Sequence, residues 1–225
     1  MKWFLSTRAK LGLALGASSL VSVVLWLIGA ALNDSTNYHY FIWNLALAWI
    51  PLGIALWLEH ILHIKLWSSW SALLATFVWL LFLPNSFYVI SGFVHLADAP
   101  RADLVFDVVM FTSFGMNGLI LGFLSLFLVH SELRKRLSAR TAGLMVSGVL
   151  LLSSLAIYIG RDLRWNSWDI ILNPASLVFD VSDRLINAGS NPALASTTFA
   201  FFVLLGSIYL AVLYMARALR QQKTL

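Results

Sequence analysis

Six long apolar stretches mark the chain, at about residues 11–32, 41–58, 69–90, 104–129, 141–159 and 197–216. Each approaches the roughly 20 residues that an α-helix needs to cross a bilayer. Threaded alternately with the N-terminus inside, the inner segments carry Lys2, Arg8, Lys10, Lys65, Arg134, Lys135, Arg136, Arg140, Arg217, Arg220 and Lys223, while the outer ones carry Arg101, Arg161, Arg164 and Arg184. Eleven of the fifteen basic residues thus fall inside, as the positive-inside rule requires. The acids run the other way. Glu59 and Glu132 lie inside, and all eight Asp lie outside or at the outer membrane edge.

The connections are short except for one of about 160–196. There Asn173-Pro174 predicts a helix start, with Pro at the first helical position. Leu177, Val178, Val181 and Leu185 fall on one face of that helix, Asp180, Asp183, Arg184 and Asn187 fall on the other, and Gly189 supplies a stop. The pattern predicts an amphipathic helix over 174–188 on the outer surface. Pro51 and Gly53 predict a kink in the second span. Gly115, Gly118 and Gly122 in the fourth suit close helix packing. The Gly- and Ser-rich fifth span is expected inside the bundle. No internal repeat suggests an inverted-repeat transporter.

Composition narrows the class. The chain has 225 residues, of which 60% are hydrophobic and 11% charged, with mean hydropathy +0.84. Soluble domains carry about 25% charge. The expected fold is all-α: a single integral-membrane domain over 1–225, built from six transmembrane helices and one surface helix. The net charge of +5 reads as topology and contact with anionic lipid, not as nucleic-acid binding. With no cysteine in the chain, disulfides, thiolate metal sites and Cys nucleophiles are excluded. Lys2, Arg8 and Lys10 precede an apolar run of about 22 residues, longer than the roughly 7–15 of a signal peptide. An uncleaved first span is expected.

Three segments carry candidate chemistry. In Phe82–Leu96, Pro84 removes a backbone donor and Asn85 is polar enough to serve exposed backbone. A helix broken there in the outer third of the membrane is expected, lining a cavity or buried in protein. Tyr88, Ser91 and His95 would share a face if the segment resumes as α-helix, with Asp98 continuing it. Next come Asp98, Arg101, Asp103 and Asp107. The last two are one turn apart at a helix start, where the helix dipole favours carboxylates. With His95 they form a candidate acid/base group, without recognised metal-ligand spacing. The third segment, Gly160–Pro174, packs Arg161, Asp162, Arg164, Trp165, Asn166, Trp168 and Asp169 into nine positions. Arg guanidinium groups grip phosphate or carboxylate in bidentate fashion, and Trp suits the headgroup level. The structural alternative is an interfacial anchor closed by Arg–Asp pairs. At the opposite membrane face Glu59, His60 and His63 have helical spacing, and solvated residues are expected there.

The strings Pro84-Asn85…Tyr88…His95-Leu96, Gly160-Arg161…Leu163-Arg164-Trp165-Asn166-Ser167-Trp168-Asp169 and Asn173-Pro174 resemble a bacterial multi-pass inner-membrane family. It is known as domain of unknown function 1361. The resemblance covers about residues 40–220, and its specific part is the Trp-rich string. The family pattern often has Pro at the position of Phe87 and Asp at that of Gly92; the absence of that Asp here weakens a metal or acid/base reading. The resemblance implies no established activity. It supports the helix count and points to His95, Asp107 and the Arg161–Asp169 loop.

The expected function is an outward-facing inner-membrane enzyme or binding protein for an anionic lipid headgroup or lipid-linked substrate, both termini being cytoplasmic. Arg161, Arg164, Trp165, Asn166, Trp168 and Asp169 would hold the headgroup, with the two motif loops meeting at the outer face. His95 would act as acid/base with Asp98 or Asp107. Pro84, Asn85, Tyr88, Asn173 and Pro174 would shape the loops. Partners are membrane lipids, a membrane protein or a second copy; no cofactor is implied. The rival is a non-catalytic subunit or scaffold docking a partner protein. A small transporter ranks third, because the interiors of the first, fifth and sixth spans lack the ionisable groups that ion coupling usually needs.

Overall fold

The computed structural model describes residues 6–32, 38–98, 104–165, 172–187, 189 and 191–222, with side chains described except at 97, 98, 185 and 219–222. Its elements are α1 (Thr7–Leu32), α2 (Tyr40–Ile64), α3 (Trp70–Tyr88), a 3₁₀ helix (Val89–Asp98), α4 (Leu104–Arg134), α5 (Ala139–Asp162), α6 (Pro174–Ile186) and α7 (Pro192–Gln222). No strand occurs among the described residues. Six helical spans are long and apolar enough to cross a membrane, α3 and the 3₁₀ helix counting as one. Helix is the expected answer for such sequence, because it bonds its own backbone where lipid offers no partner.

The chain divides into two compact units, Met1–Leu128 and Val129–Leu225, so α4 passes from the first into the second. In unit one, Leu15, Phe41, Leu45, Ala48, Leu52, Val89, Met110, Phe111, Phe114 and Leu121 form the core. Polar contacts tie its helices along their length. Arg8 of α1 makes a bidentate pair with Glu59 of α2 at 2.8 and 2.9 Å. Trp49 Nε1 donates to Ser19 Oγ at 3.2 Å. Mid-span, Asn117 Nδ2 of α4 donates to Ser22 Oγ at 2.9 Å and Ser18 O at 3.2 Å on α1. Trp79 Nε1 of α3 reaches Ser125 Oγ of α4 at 2.8 Å.

The glycines of α4 form its contact face, as their spacing predicts. A Cβ at Gly118 would lie 2.5 Å from Ser86 O, and one at Gly122 would lie 2.5 Å from the Phe87 ring. At Gly115 it would lie 3.4 Å from the Phe93 ring. Small side chains here let α4 approach α3 and the 3₁₀ helix closely, which is how helices associate where lipid removes the hydrophobic drive. Gly29 does the same at the end of α1, where a Cβ would meet the Phe106 ring at 2.9 Å.

One expectation needs correction. α3 does not break at Pro84-Asn85; it continues as α-helix to Tyr88 and only then tightens to 3₁₀. Beside it, Asn85 Nδ2 donates to Phe82 O at 3.1 Å. α2 keeps Pro51 inside its helix. Ser86 Oγ of α3 donates to Ala48 O of α2 at 2.9 Å. In unit two α5 packs on α7, and its Ala142, Val146, Leu150, Ser153, Ile157 and Tyr158 are buried. A Cβ at Gly143 or Gly148 would meet nothing within 4 Å.

These glycines separate packing from propensity. Gly118→Ala should cost about 1–3 kcal/mol by forcing a Cβ against backbone, whereas Gly143→Ala should be neutral or stabilise by up to about 1 kcal/mol through helix propensity. Thermal unfolding in detergent checks the pair. Equal midpoints for the two variants would contradict the close seat of Gly118.

Candidate functional site

The first motif lies in unit one and the second in unit two. In unit one the 3₁₀ helix decides which residues meet. With about 3 residues per turn, positions three apart eclipse one another. His95 therefore aligns with Gly92 and Val89, not with Tyr88 and Ser91 as an α-helix would have it. The row is read out by its neighbours. Val89 packs on Gly118. A Cβ at Gly92 would lie 2.5 Å from the Phe41 ring, so that ring takes the space of any side chain at 92. His95 meets the Tyr40 ring, with centroids 5.2 Å apart, and Tyr40 stacks on Phe41 at 4.9 Å. His95 is thus half-buried in an aromatic cluster at the start of α2.

Asp107 is buried, at 3% exposure, in the first turn of α4. A carboxylate is favoured at that end of the dipole. The contacts Phe87–Gly122, Val89–Gly118 and Phe93–Phe111 run antiparallel, and their continuation brings the level of His95 to that of Asp107. Arg101 and Asp103 lie outside the described residues, as does the side chain of Asp98. Among the described residues, no group of three His or acidic side chains could hold a metal ion.

In unit two, α5 ends at Asp162, and Leu163 N still donates to Ile159 O at 3.1 Å. The next residue, Arg164, has φ 58°. This left-handed conformation, where helices commonly place Gly after their last turn, costs an L-residue roughly 1–2 kcal/mol. It turns the chain so that Trp165 N reaches back to Ile159 O at 3.5 Å. Arg164 itself is exposed and Arg161 half-buried. Trp165 Nε1 donates to Asp180 Oδ2 of α6 at 3.0 Å. Asn166, Trp168 and Asp169 lie outside the described residues.

α6 starts at Pro174 as predicted, with Asn173 at the cap position but making no side-chain cap hydrogen bond. Its orientation departs from the expected one. Arg184 Nη1 donates to Tyr158 Oη of α5 at 3.2 Å and to Asn191 Oδ1 at 2.9 Å. The Asp180–Arg184 stripe is therefore turned onto the bundle, and Leu177 and Val181 share its half-buried side. The outward side carries Val178, Phe179 and Ile186.

Two further sites were not legible as sites in the sequence. Glu59, expected as a solvated residue, is the partner of Arg8. His130 near the end of α4 is buried and its Nδ1 lies 2.8 Å from Tyr209 Oη of α7. Two residues on, buried Glu132 is held by Lys135 and Arg136. A lone His beside Leu128, Val129 and Leu133 was the available signal, but its partner is 79 residues away.

A family model described as "Protein of unknown function (DUF1361)" matches residues 43–212. No curated protein and no solved structure matches the chain.

The tie between Trp165 and Asp180 should behave as one neutral-to-charged hydrogen bond. Trp165→Phe, Asp180→Ala and the double variant should give a coupling of about 1–2 kcal/mol in thermal unfolding. A coupling near zero would mean that α6 is not held at this point.

Proposed function

The chain belongs to the DUF1361 family, whose model spans well over half of it, and from that premise we propose that unit two binds an anionic lipid headgroup. The observation carrying this reading is Arg164. An exposed arginine occupies the one backbone position after α5 that favours glycine. Strain of this kind persists where the surroundings over-determine it, and it clusters at ligand-binding positions. Arg161 lies less than one turn before it, so two guanidinium groups are presented at the end of a span. Trp165, fixed by Asp180, adds an amphipathic ring suited to headgroup depth.

On the expected topology this end is extracytoplasmic in a bacterial inner membrane. Asn166, Trp168 and Asp169 belong to the same proposed loop. An acid/base step by His95, with Asp98 or Asp107, is a separate part of the proposal. It is supported by the placement of His95 against Tyr40 and of Asp107 at the same level, and binding by the arginines does not require it. Scaffold and transporter readings have no comparable observation.

Native mass spectrometry of the detergent-purified protein tests the arginine. Wild type should retain phosphatidylglycerol or cardiolipin. Arg164→Ala and Arg164→Gly should both lose it, by tenfold or more. Arg164→Gly should unfold no lower than wild type, because glycine relieves the left-handed backbone, so lost binding cannot be blamed on lost fold. His95→Ala should keep the lipid. Lipid retained in both Arg164 variants would sink the proposal, and a stoichiometric co-purifying protein in its place would favour the scaffold.

A further inference from the structure

We infer that α6 lies in the membrane interface with its outward edge set among lipid acyl chains, and that this edge makes the Arg164–Trp165 loop a site for a membrane-anchored amphiphile, not for a soluble anion. The second half rests on the headgroup reading; the first does not.

Asp180 is taken by Trp165, and Arg184 by Tyr158 and Asn191. With its polar stripe turned inward, the helix shows the opposite side to its surroundings. There Val178 is 62% exposed, Phe179 73% and Ile186 81%, with Leu172 at 68% just before the helix. An amphipathic helix on a water-facing surface would bury its large apolar residues and expose its charges. This one, about 20 Å long, exposes Asp183 but turns Asp180 and Arg184 inward and leaves Val178, Phe179 and Ile186 uncovered.

Its position names the occupant. α6 is tied to the last turn of α5 through Tyr158 and Trp165, and to the approach to α7 through Asn191. It therefore sits at the ends of two spans. On α7, Phe199 and Val203 are likewise exposed, on a helix apolar enough to cross the membrane. A single lipid environment covers both. In-plane helices of this kind set their apolar side into the boundary between headgroups and acyl chains. Phe179 adjoins Asp180, the residue that holds Trp165. A lipid whose chains lie along Phe179 thus has its headgroup beside Trp165 and Arg164.

The chain contains no cysteine, so one introduced thiol carries one spin label. Val178→Cys, Phe179→Cys, Ile186→Cys and Asp183→Cys are each labelled with a nitroxide in phosphatidylethanolamine–phosphatidylglycerol vesicles. Collision with oxygen and with a water-soluble nickel chelate is then measured. Labels at 178, 179 and 186 should collide more with oxygen than with nickel, and the label at 183 should be the more exposed to nickel. Nickel access at 178, 179 and 186 equal to that at 183 would overturn the inference, and so would exclusion of both reagents, which would mean that protein covers the edge. In a second arm inorganic phosphate is added to the lipid-bound protein. It should displace no lipid; displacement would show that the anion alone suffices and would overturn the amphiphile half. If Arg164 variants keep their lipid while the labels still report acyl chains, the headgroup reading fails and the embedding of α6 stands.

Discussion

A hydroxyl buried in the bilayer must find a partner, and the architecture of unit one turns on that requirement at Ser86. Ser86 is fully buried, and its Oγ donates to Ala48 O of the neighbouring span α2 at 2.9 Å. For that hydroxyl to be placed, α3 must run past Pro84 as helix, which it does. On its other side the same residue receives α4, where only a glycine at 118 leaves room for Ser86 O. Three spans are thereby fixed around one residue. An unserved polar group costs several kcal/mol in a medium without water, so polar satisfaction and close packing select the same arrangement.

The tightening to 3₁₀ after Tyr88 follows from this seat and has a chemical consequence. It changes the repeat from 3.6 to about 3 residues, which removes His95 from the row of Tyr88 and Ser91 and delivers it to Tyr40. It also places Gly92 beneath Phe41. A carboxylate at that position would have no room unless the Phe41 ring moved, so the packing of α2 and the chemistry open to the motif are linked.

Unit two organises its end by a different device. α5 stops with an arginine in left-handed conformation, and the next residue reaches across to α6. Arg184 then bridges Tyr158 and Asn191. Side chains that look like a solvated face in a helical wheel are the internal fastening of the cap. Burial of charge beside the membrane favours such partnered placement, and it leaves apolar residues to meet the surroundings.

Much of the fold was legible in the residues alone. Six apolar runs at membrane length, the start of α6 at Pro174 and the Gly115–Gly118–Gly122 face all follow from local composition and spacing, because a backbone in lipid has few ways to satisfy itself. The site was legible only as residue types: arginines, tryptophans and acids crowded at the ends of spans. Which of them meet depends on partners far away in the chain, as with Arg8 and Glu59 or His130 and Tyr209. Whether Pro84 breaks its helix depends on what α2 and α4 offer in return. The direction in which α6 faces depends on hydrogen bonds to Trp165, Tyr158 and Asn191, and a periodicity cannot encode those. Sequence by itself determined that these helices exist and how long they are, since that is settled within each segment. Tertiary structure alone decided which faces and polar groups are paired, since that is settled between segments.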